Sequence, residues 1–279
     1  MGLSHRKQNL VAGQFGVVQQ INPEYETLRR HTFLADYARA TGAAGFVLGI
    51  SGGVDSAVAG KLAQMAVDRL NRLAGRPLPG QASSEYRFIA MRLPYGEQRD
   101  ETDAQQVLGW IKPTQIIVYD IKPAVDAAAA EYQRATGQQL SDFAKGNLKA
   151  RTRMLAQYAV AAENGCLVIG TDHAAEALMG FYTKWGDGAA DLCPLSTLDK
   201  RQVRQIAGHL GLAQTIIEKR PTADLEDLRP QLADEDALGL TYDAIDDFLE
   251  GHTVPADVVE QILRQVERTE HKRRRIPGI

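Results

Sequence analysis

Apolar positions along the chain fall into short continuous runs separated by longer stretches at helical spacing. Phe46–Ile50, Arg87–Leu93, Gln115–Tyr119 and Cys166–Gly170 are the short runs, the pattern of strands buried on both faces. After the first run, Val54, Val58, Leu62, Met65, Val67 and Leu70 recur at helical spacing. Glu97–Thr102 leads into a helix reaching about Trp110, and Asp120-Ile121-Lys122 leads into one containing Ala127–Ala130. A long helix is predicted from Asp142 to Glu163, capped by Ser141 and ended by Asn164-Gly165. Ahead of the first strand, Asn22-Pro23 starts a helix that runs to about Arg39 and stops before Gly42. Its Leu28, Phe33, Leu34, Tyr37 and Ala38 make one apolar face, suited to the core or to a second copy of the chain.

This alternation predicts an α/β fold, a doubly wound and mainly parallel sheet flanked by helices. Ala74–Glu85, with Gly75, Pro77, Pro79 and Gly80, is expected to be a loop. From Ala174 the pattern changes. Gly180, Gly186 and Gly188 cluster, and C-terminal helices follow without strands. Asp199 or Thr197 caps a helix through Leu210; Glu235–Glu250 and Pro255–Glu270 are two more, separated by Gly251. The chain is expected to form a single domain over residues 1–279, with residues 1–21 partly flexible.

Composition narrows the partners. The 279 residues are 44% hydrophobic and 24% charged, with net charge −3 and pI near 6.1. A global basic field is missing, so no nucleic-acid partner is expected. No apolar run is long enough to span a bilayer and the N-terminus lacks a signal-peptide core, so no membrane partner and a cytoplasmic location are expected. Cys166 and Cys193 make no disulfide framework. Cys166 reads as a buried thiol and Cys193 as an exposed one.

The chemistry centres on Gly49-Ile50-Ser51-Gly52-Gly53-Val54-Asp55-Ser56. A strand ends in two glycines and a helix begins, an arrangement suited to an anion. The glycines let the backbone approach closely, and the first helical N–H groups lack intrahelical partners. Ser51 and Ser56 add hydroxyls. Asp55 would repel a phosphate unless it held a magnesium ion that the phosphates also coordinate. The segment is neither a Walker A loop nor a dinucleotide fingerprint, since the Gly-Lys-Ser/Thr and the Gly-x-Gly-x-x-Gly are absent. It resembles the Ser-Gly-Gly-x-Asp-Ser pyrophosphate loop of the N-type ATP pyrophosphatases, whose adenine nucleotide alpha hydrolase-like fold matches the predicted alternation.

Further segments sharpen the resemblance. They are Gly170-Thr-Asp-His-Ala-Ala-Glu176, Gly180-Phe-Tyr-Thr-Lys184-Trp-Gly-Asp187-Gly-Ala-Ala-Asp191, Asp199-Lys200-Arg201-Gln202, Pro221-Thr222-Ala-Asp-Leu-Glu226 and Thr269-Glu-His271-Lys272-Arg273. In this order they resemble the ammonia-dependent NAD synthetases. The resemblance implies ATP-dependent amidation of nicotinic acid adenine dinucleotide with ammonia, through an acyl-adenylate, releasing AMP and pyrophosphate. It implies that Gly49–Ser56, Thr171, Lys200 and Thr222 contact ATP, and that Asp55 and Glu176 bind magnesium. Arg151, Lys184, Asp191, His271 and Lys272 match positions that hold the dinucleotide. Asp55 and Lys200 are expected in the catalytic set, with Asp187 orienting ammonia. A homodimer is implied, with the helices over 23–39 and 142–163 at its interface. The stretch before Phe46 is too short for a glutaminase domain, so free ammonia is the expected nitrogen source. Two departures stand out: Val54 where glutamine is frequent, and an ending in Ile276-Pro-Gly-Ile279 without the family's aromatic, acidic tail.

Plainer readings compete at several positions. Lys145, Lys149, Arg151 and Arg153 suit a solvated helix face. His173 suits a structural role, since no His or Cys partner lies at ligand spacing. Asp246-Asp247, Glu267 and Glu270 read as surface charge, and Lys272–Arg275 as a phosphate contact or a solvated tail. The competing functions are another adenylating enzyme of the superfamily and a non-catalytic nucleotide-binding module; the latter would not need both Asp55 and Glu176.

Overall fold

The computed structural model describes residues 3–73, 85–96, 100–223, 225–229 and 232–278. In chain order its elements are α1 (Leu3–Ala12), α2 (Pro23–Thr41), β1 (Gly45–Gly49), α3 (Val54–Leu73), β2 (Arg87–Arg92), α4 (Glu101–Ile111), β3 (Gln115–Val118), α5 (Lys122–Thr136), α6 (Asp142–Asn164) and β4 (Leu167–Val168). Then come α7 (Ala174–Met179), α8 (Lys200–His209), α9 (Gln214–Ile217), β5 (Thr222–Ala223), β6 (Leu232–Ala233), α10 (Asp234–Leu238), α11 (Tyr242–Glu250) and α12 (Ala256–Arg273). The loop expected over 74–85 lies, save Glu85, outside the described residues, as do Glu97 and Gln98.

β1 to β4 pair in parallel in the order β3-β2-β1-β4, with Phe46 opposite Phe88 and Leu167. Successive side chains of a strand point to opposite faces, and both faces are covered here. Phe46, Leu48, Phe88 and Ala90 pack with α2, α3 and α8 residues such as Leu34, Val58, Leu62 and Ile206. Val47, Ile89, Met91 and Val168 pack with Val125 of α5 and Ala156 and Ala161 of α6. Full burial of each large apolar side chain contributes about 1.5–3 kcal/mol. This two-sided burial is why the strands read as unbroken apolar runs. A third cluster joins α7, α11 and α12 through Leu178, Tyr242, Phe248 and Ile262.

The strand order fixes where a ligand binds. β2 and β3 lie on one side of β1 and β4 on the other, so the chain reverses direction between β1 and β4. In open α/β sheets the crevice at such a switch point, beyond the strand C-termini, takes the ligand. The loops leaving β1 and β4 are Ile50–Gly53 and Ile169–His173.

Several expectations are corrected. The segment from Leu3 is ordered rather than loose: α1 packs on α11 and α12, and the buried Gln8 side chain donates to Phe248 O at 3.2 Å and His252 O at 2.9 Å. α2 begins at the Asn22 cap and ends at a left-handed Gly42, but its apolar face is split. Leu34 and Ala38 are buried, whereas Leu28, Phe33 and Tyr37 are exposed. The C-terminal part is not strand-free, because β5 and β6 form a small antiparallel pair. The helix expected over 235–250 is broken at a left-handed Gly239 into α10 and α11.

Candidate active site

The loop after β1 is shaped by close approach. Gly52 has φ +88°, and a Cβ there would lie 2.9 Å from Ala104 N. The double glycine thus lets α4 seat against the loop. Ser51 and Ser56 hydroxyls are 3.1 Å apart, and Ser56 Oγ donates to Gly53 O at 3.1 Å. Gly49 N donates to Gln157 Oε1 of α6 at 2.7 Å. Arg92, buried at the end of β2, donates to Ile50 O and to Glu101 Oε2. The loop is therefore braced from both sides of the sheet.

A cleft of about 320 Å³ opens above it. Gly49, Ile50, Ser51, Gly53, Val54, Asp55, Ser56, Thr171, Glu176, Asp187, Lys200 and Thr222 all line it. Gly52 lies just behind, against α4. Segments far apart in sequence thus converge on the switch point.

At its floor, Lys200 Nζ donates to Asp55 Oδ2 at 2.6 Å. Lys200 sits in the first turn of α8, where the helix dipole disfavours a cation. The Asp246 carboxylate compensates by accepting from Lys200 N at 3.1 Å and Arg201 N at 2.8 Å. Asp246 is thus a buried helix cap rather than surface charge. Burial alone would raise the Asp55 carboxyl and lower the Lys200 ammonium. Their mutual attraction, together with the other charges around them, outweighs it, holding Asp55 below the usual carboxylate range and Lys200 above the usual lysine range.

Glu176 faces the same point. Burial and then the neighbouring Asp55 charge push its carboxyl well above the ordinary value. His173 closes the group: its Nδ1 accepts from Glu176 N at 3.4 Å, and its Nε2 is 3.6 Å from both Asp55 Oδ1 and Glu176 Oε1. Burial, then Lys200, holds the ring neutral, with its pKa lowered to about 3. His173 Nε2 is also 3.4 Å from Lys200 Nζ, so the ring stands among Asp55, Glu176 and Lys200, and its Nε2 clusters with the two carboxylates. Asp55 Oδ1 is buried without a hydrogen-bond partner. An orphaned carboxylate oxygen near a second carboxyl suits a hard divalent cation. Among the described residues, Asp247, Glu250 and His252 also cluster, but Arg201 already pairs with Asp247 and Glu250.

Asp187 lies on the cleft wall, its carboxylate accepting from Thr183 N at 3.0 Å. Burial raises its pKa. Asp172 is pushed up to about 8, first by burial and then by Asp187.

Arg151, Lys184, His271 and Lys272 gather at one place outside the cleft lining, where α6, the 180–188 loop and the end of α12 meet. Lys184 Nζ donates to His271 O at 2.6 Å, Arg151 Nη2 to Lys184 O at 3.3 Å, and Lys272 Nζ to Gly180 O and Tyr182 O at 2.7 and 2.6 Å. Asp191 stands apart, accepting from Val168 N at 2.7 Å and Tyr158 Oη at 3.3 Å.

Sequence reasoning missed Arg92, Arg153, Gln157, Lys219 and Arg220 on the cleft wall. Arg153 and Gln157, four residues apart, share one face of α6; Arg153 Nε donates to Leu93 O at 3.1 Å. The basic face of α6 is therefore not simply solvated. Lys149 is 4% exposed and donates to Asp227 Oδ1 at 2.6 Å. Cys193 is also less open than expected, half-buried against Gly170.

A model of the NAD synthase family matches residues 26–276. A curated protein of Halalkalibacterium halodurans described as NH(3)-dependent NAD(+) synthetase is 52% identical over 95% of each chain. Among solved structures, NAD+ synthetase from Burkholderia pseudomallei is 45% identical with TM-score 0.82, covering 98% of both chains. NMN synthetase from Francisella tularensis is 34% identical with TM-score 0.80, covering 93% of this chain and 99% of that one.

Proposed function

The chain belongs to the NAD synthase family, and on that premise we propose that its cleft performs the ATP-dependent amidation of nicotinic acid adenine dinucleotide with ammonia. The protein is a ligase that makes NAD and uses ATP as cosubstrate. The observation carrying the site assignment is the meeting of the Ser51–Ser56 loop, Lys200, Asp55 and Glu176 at one switch point.

The chemistry follows from the need to activate a carboxylate. A pyridine carboxylate oxygen attacks the α-phosphorus of ATP, the α–β bond breaks, and pyrophosphate leaves with the electron pair. The backbone N–H groups of Gly53–Ser56 and the Ser51 and Ser56 hydroxyls bind the phosphates, and Thr171 and Thr222, which line the same cleft, contact the nucleotide. Lys200 stabilises charge developing on phosphate oxygens. Asp55 and Glu176 would hold magnesium, which when bound neutralises the phosphates and keeps Glu176 ionised. Ammonia then attacks the acyl carbon and AMP leaves. Asp187, tuned upward by burial, orients ammonia and accepts its proton. Arg151, Lys184, Asp191, His271 and Lys272 hold the dinucleotide.

The whole chain acts as one unit, in the cytoplasm and as a homodimer. Support for the dimer comes from exposed apolar side chains on the helices the sequence singled out. Leu28 and Phe33 of α2 and Phe143 and Leu155 of α6 are 46–69% exposed.

Pyrophosphate release from ATP and magnesium is the test, run with and without the dinucleotide and then with ammonium. Dinucleotide-dependent release, with NAD formed only when ammonium is present, is expected. Release only with nicotinic acid mononucleotide would move the substrate to that of an NMN synthetase.

A further inference from the structure

Lys219 sits between α9 and β5 and lines the cleft with Ser51, Gly53 and Asp100. Its ammonium donates to Asp103 Oδ2 at 2.6 Å. Asp103 is in the first turn of α4, and that turn presses on the loop after β1. A Cβ at Gly52 would be 3.3 Å from the Asp103 carbonyl carbon. Lys219 is thereby held beside the phosphate loop through α4, whereas Lys200 is held through Asp55 of α3.

The local charge needs a cation there. Asp100 and Asp103 both stand at the start of α4, and the Asp100 side chain makes no capping bond to the helix. Two carboxylates next to a polyphosphate repel it unless a cation lies between them. Arg92 is buried and held by Ile50 O and Glu101, and Lys200 is fully buried against Asp55. Lys219 is different. Its side chain is 27% exposed and that of Asp103 36%. Water can therefore resolvate Asp103 when the flexible lysine stem turns away, so the exchange costs little.

We propose that Lys219 is a pyrophosphate-binding residue: as ATP enters, its ammonium exchanges Asp103 for the β and γ phosphates and stays with pyrophosphate after the α–β bond breaks. This rests on the ATP-dependent reading above and extends it to a residue outside the motifs that carry it.

The test measures binding of magnesium pyrophosphate and of AMP by calorimetry to the parent protein, Lys219→Gln and Asp103→Asn. Loss of a charge-assisted contact predicts pyrophosphate binding weaker by roughly ten- to a hundred-fold in Lys219→Gln. AMP binding stays unchanged, and Asp103→Asn binds pyrophosphate at least as tightly as the parent. Parent-like pyrophosphate binding by Lys219→Gln overturns the proposal. So does equal weakening of both ligands in Lys219→Gln and Asp103→Asn, which would make the pair a structural tie. A parent protein that binds neither ATP nor pyrophosphate overturns the ATP-dependent reading itself.

Discussion

Lys200 Nζ lies 2.6 Å from Asp55 Oδ2, joining the first turn of α8 to the first turn of α3 across the cleft floor. The lysine side chain is 1% exposed and the aspartate 19%. Removing one partner of such a pair leaves the other charge buried without compensation. Lys200→Met leaves Asp55 facing Glu176, and about 3 kcal/mol of stability should be lost in urea unfolding. Magnesium should return part of that loss, by replacing the missing cation between the carboxylates. A variant as stable as its parent in both conditions would remove the pair from the forces joining α8 to α3.

Behind Lys200, the Asp199 carboxyl is pushed up to about 8, first by burial and then by Asp246, itself raised by burial to about 6. A carboxyl harder to ionise folded than unfolded stabilises below its unfolded value, and that contribution is lost as pH rises through the folded value. For Asp199 the window runs from about 4 to about 8. Asp199→Asn keeps an oxygen to accept from Gln202 N, which the carboxylate now does at 2.8 Å, but cannot ionise. The melting temperature of the variant relative to the parent should rise as pH climbs from about 5 to about 8. A pH-independent difference would sink this assignment.

What was legible in the sequence was what short-range physics dictates. The β1–α3 turn, the Asn22 and Ser141 caps and the strand runs follow from spacing and residue type, and each recurs in the fold. Lys200, Glu176 and Thr222 came from resemblance, because no local rule brings α8, α7 and β5 to one strand end. The misses share a cause: long-range partners decide the role of a charged residue. Asp246 looks like surface charge until the α8 N-terminus lies against it, and Lys149 looks solvated until Asp227 covers it. The split of α2 has the same origin, because nothing local tells which half of an apolar face meets the sheet.

α1 is the clearest case of long-range order hidden from the sequence, and Gln8 tests it. Its side-chain amide donates to Phe248 O and His252 O at the end of α11, and it is 1% exposed. Gln8→Ala would leave two carbonyls short of a donor. A loss of about 1–3 kcal/mol is expected in chemical denaturation, with amide exchange faster through α1 and the end of α11. A Gln8→Ala protein with parental stability would mean that α1 contributes little to the fold.

Gly52 carries two requirements at once. Its φ of +88° is a conformation that side-chain-bearing residues rarely adopt. A Cβ would also press on Ala104 N at 2.9 Å and 3.2 Å from Ala104 Cα, backbone that cannot rotate away. Gly52→Ala must therefore either strain the loop or shift α4, at a cost of about 1–3 kcal/mol. Because the displaced groups frame the phosphate site, ATP affinity should fall well beyond what the stability change explains. Gly53→Ala is the control: there φ is outside the strained range and a Cβ meets only Ser51 Oγ, at 3.5 Å. Measuring ATP binding and urea unfolding for both variants separates the two sites. Equal losses would show that the loop tolerates no side chain anywhere; loss confined to Gly52→Ala would place the constraint at the contact between the loop and α4.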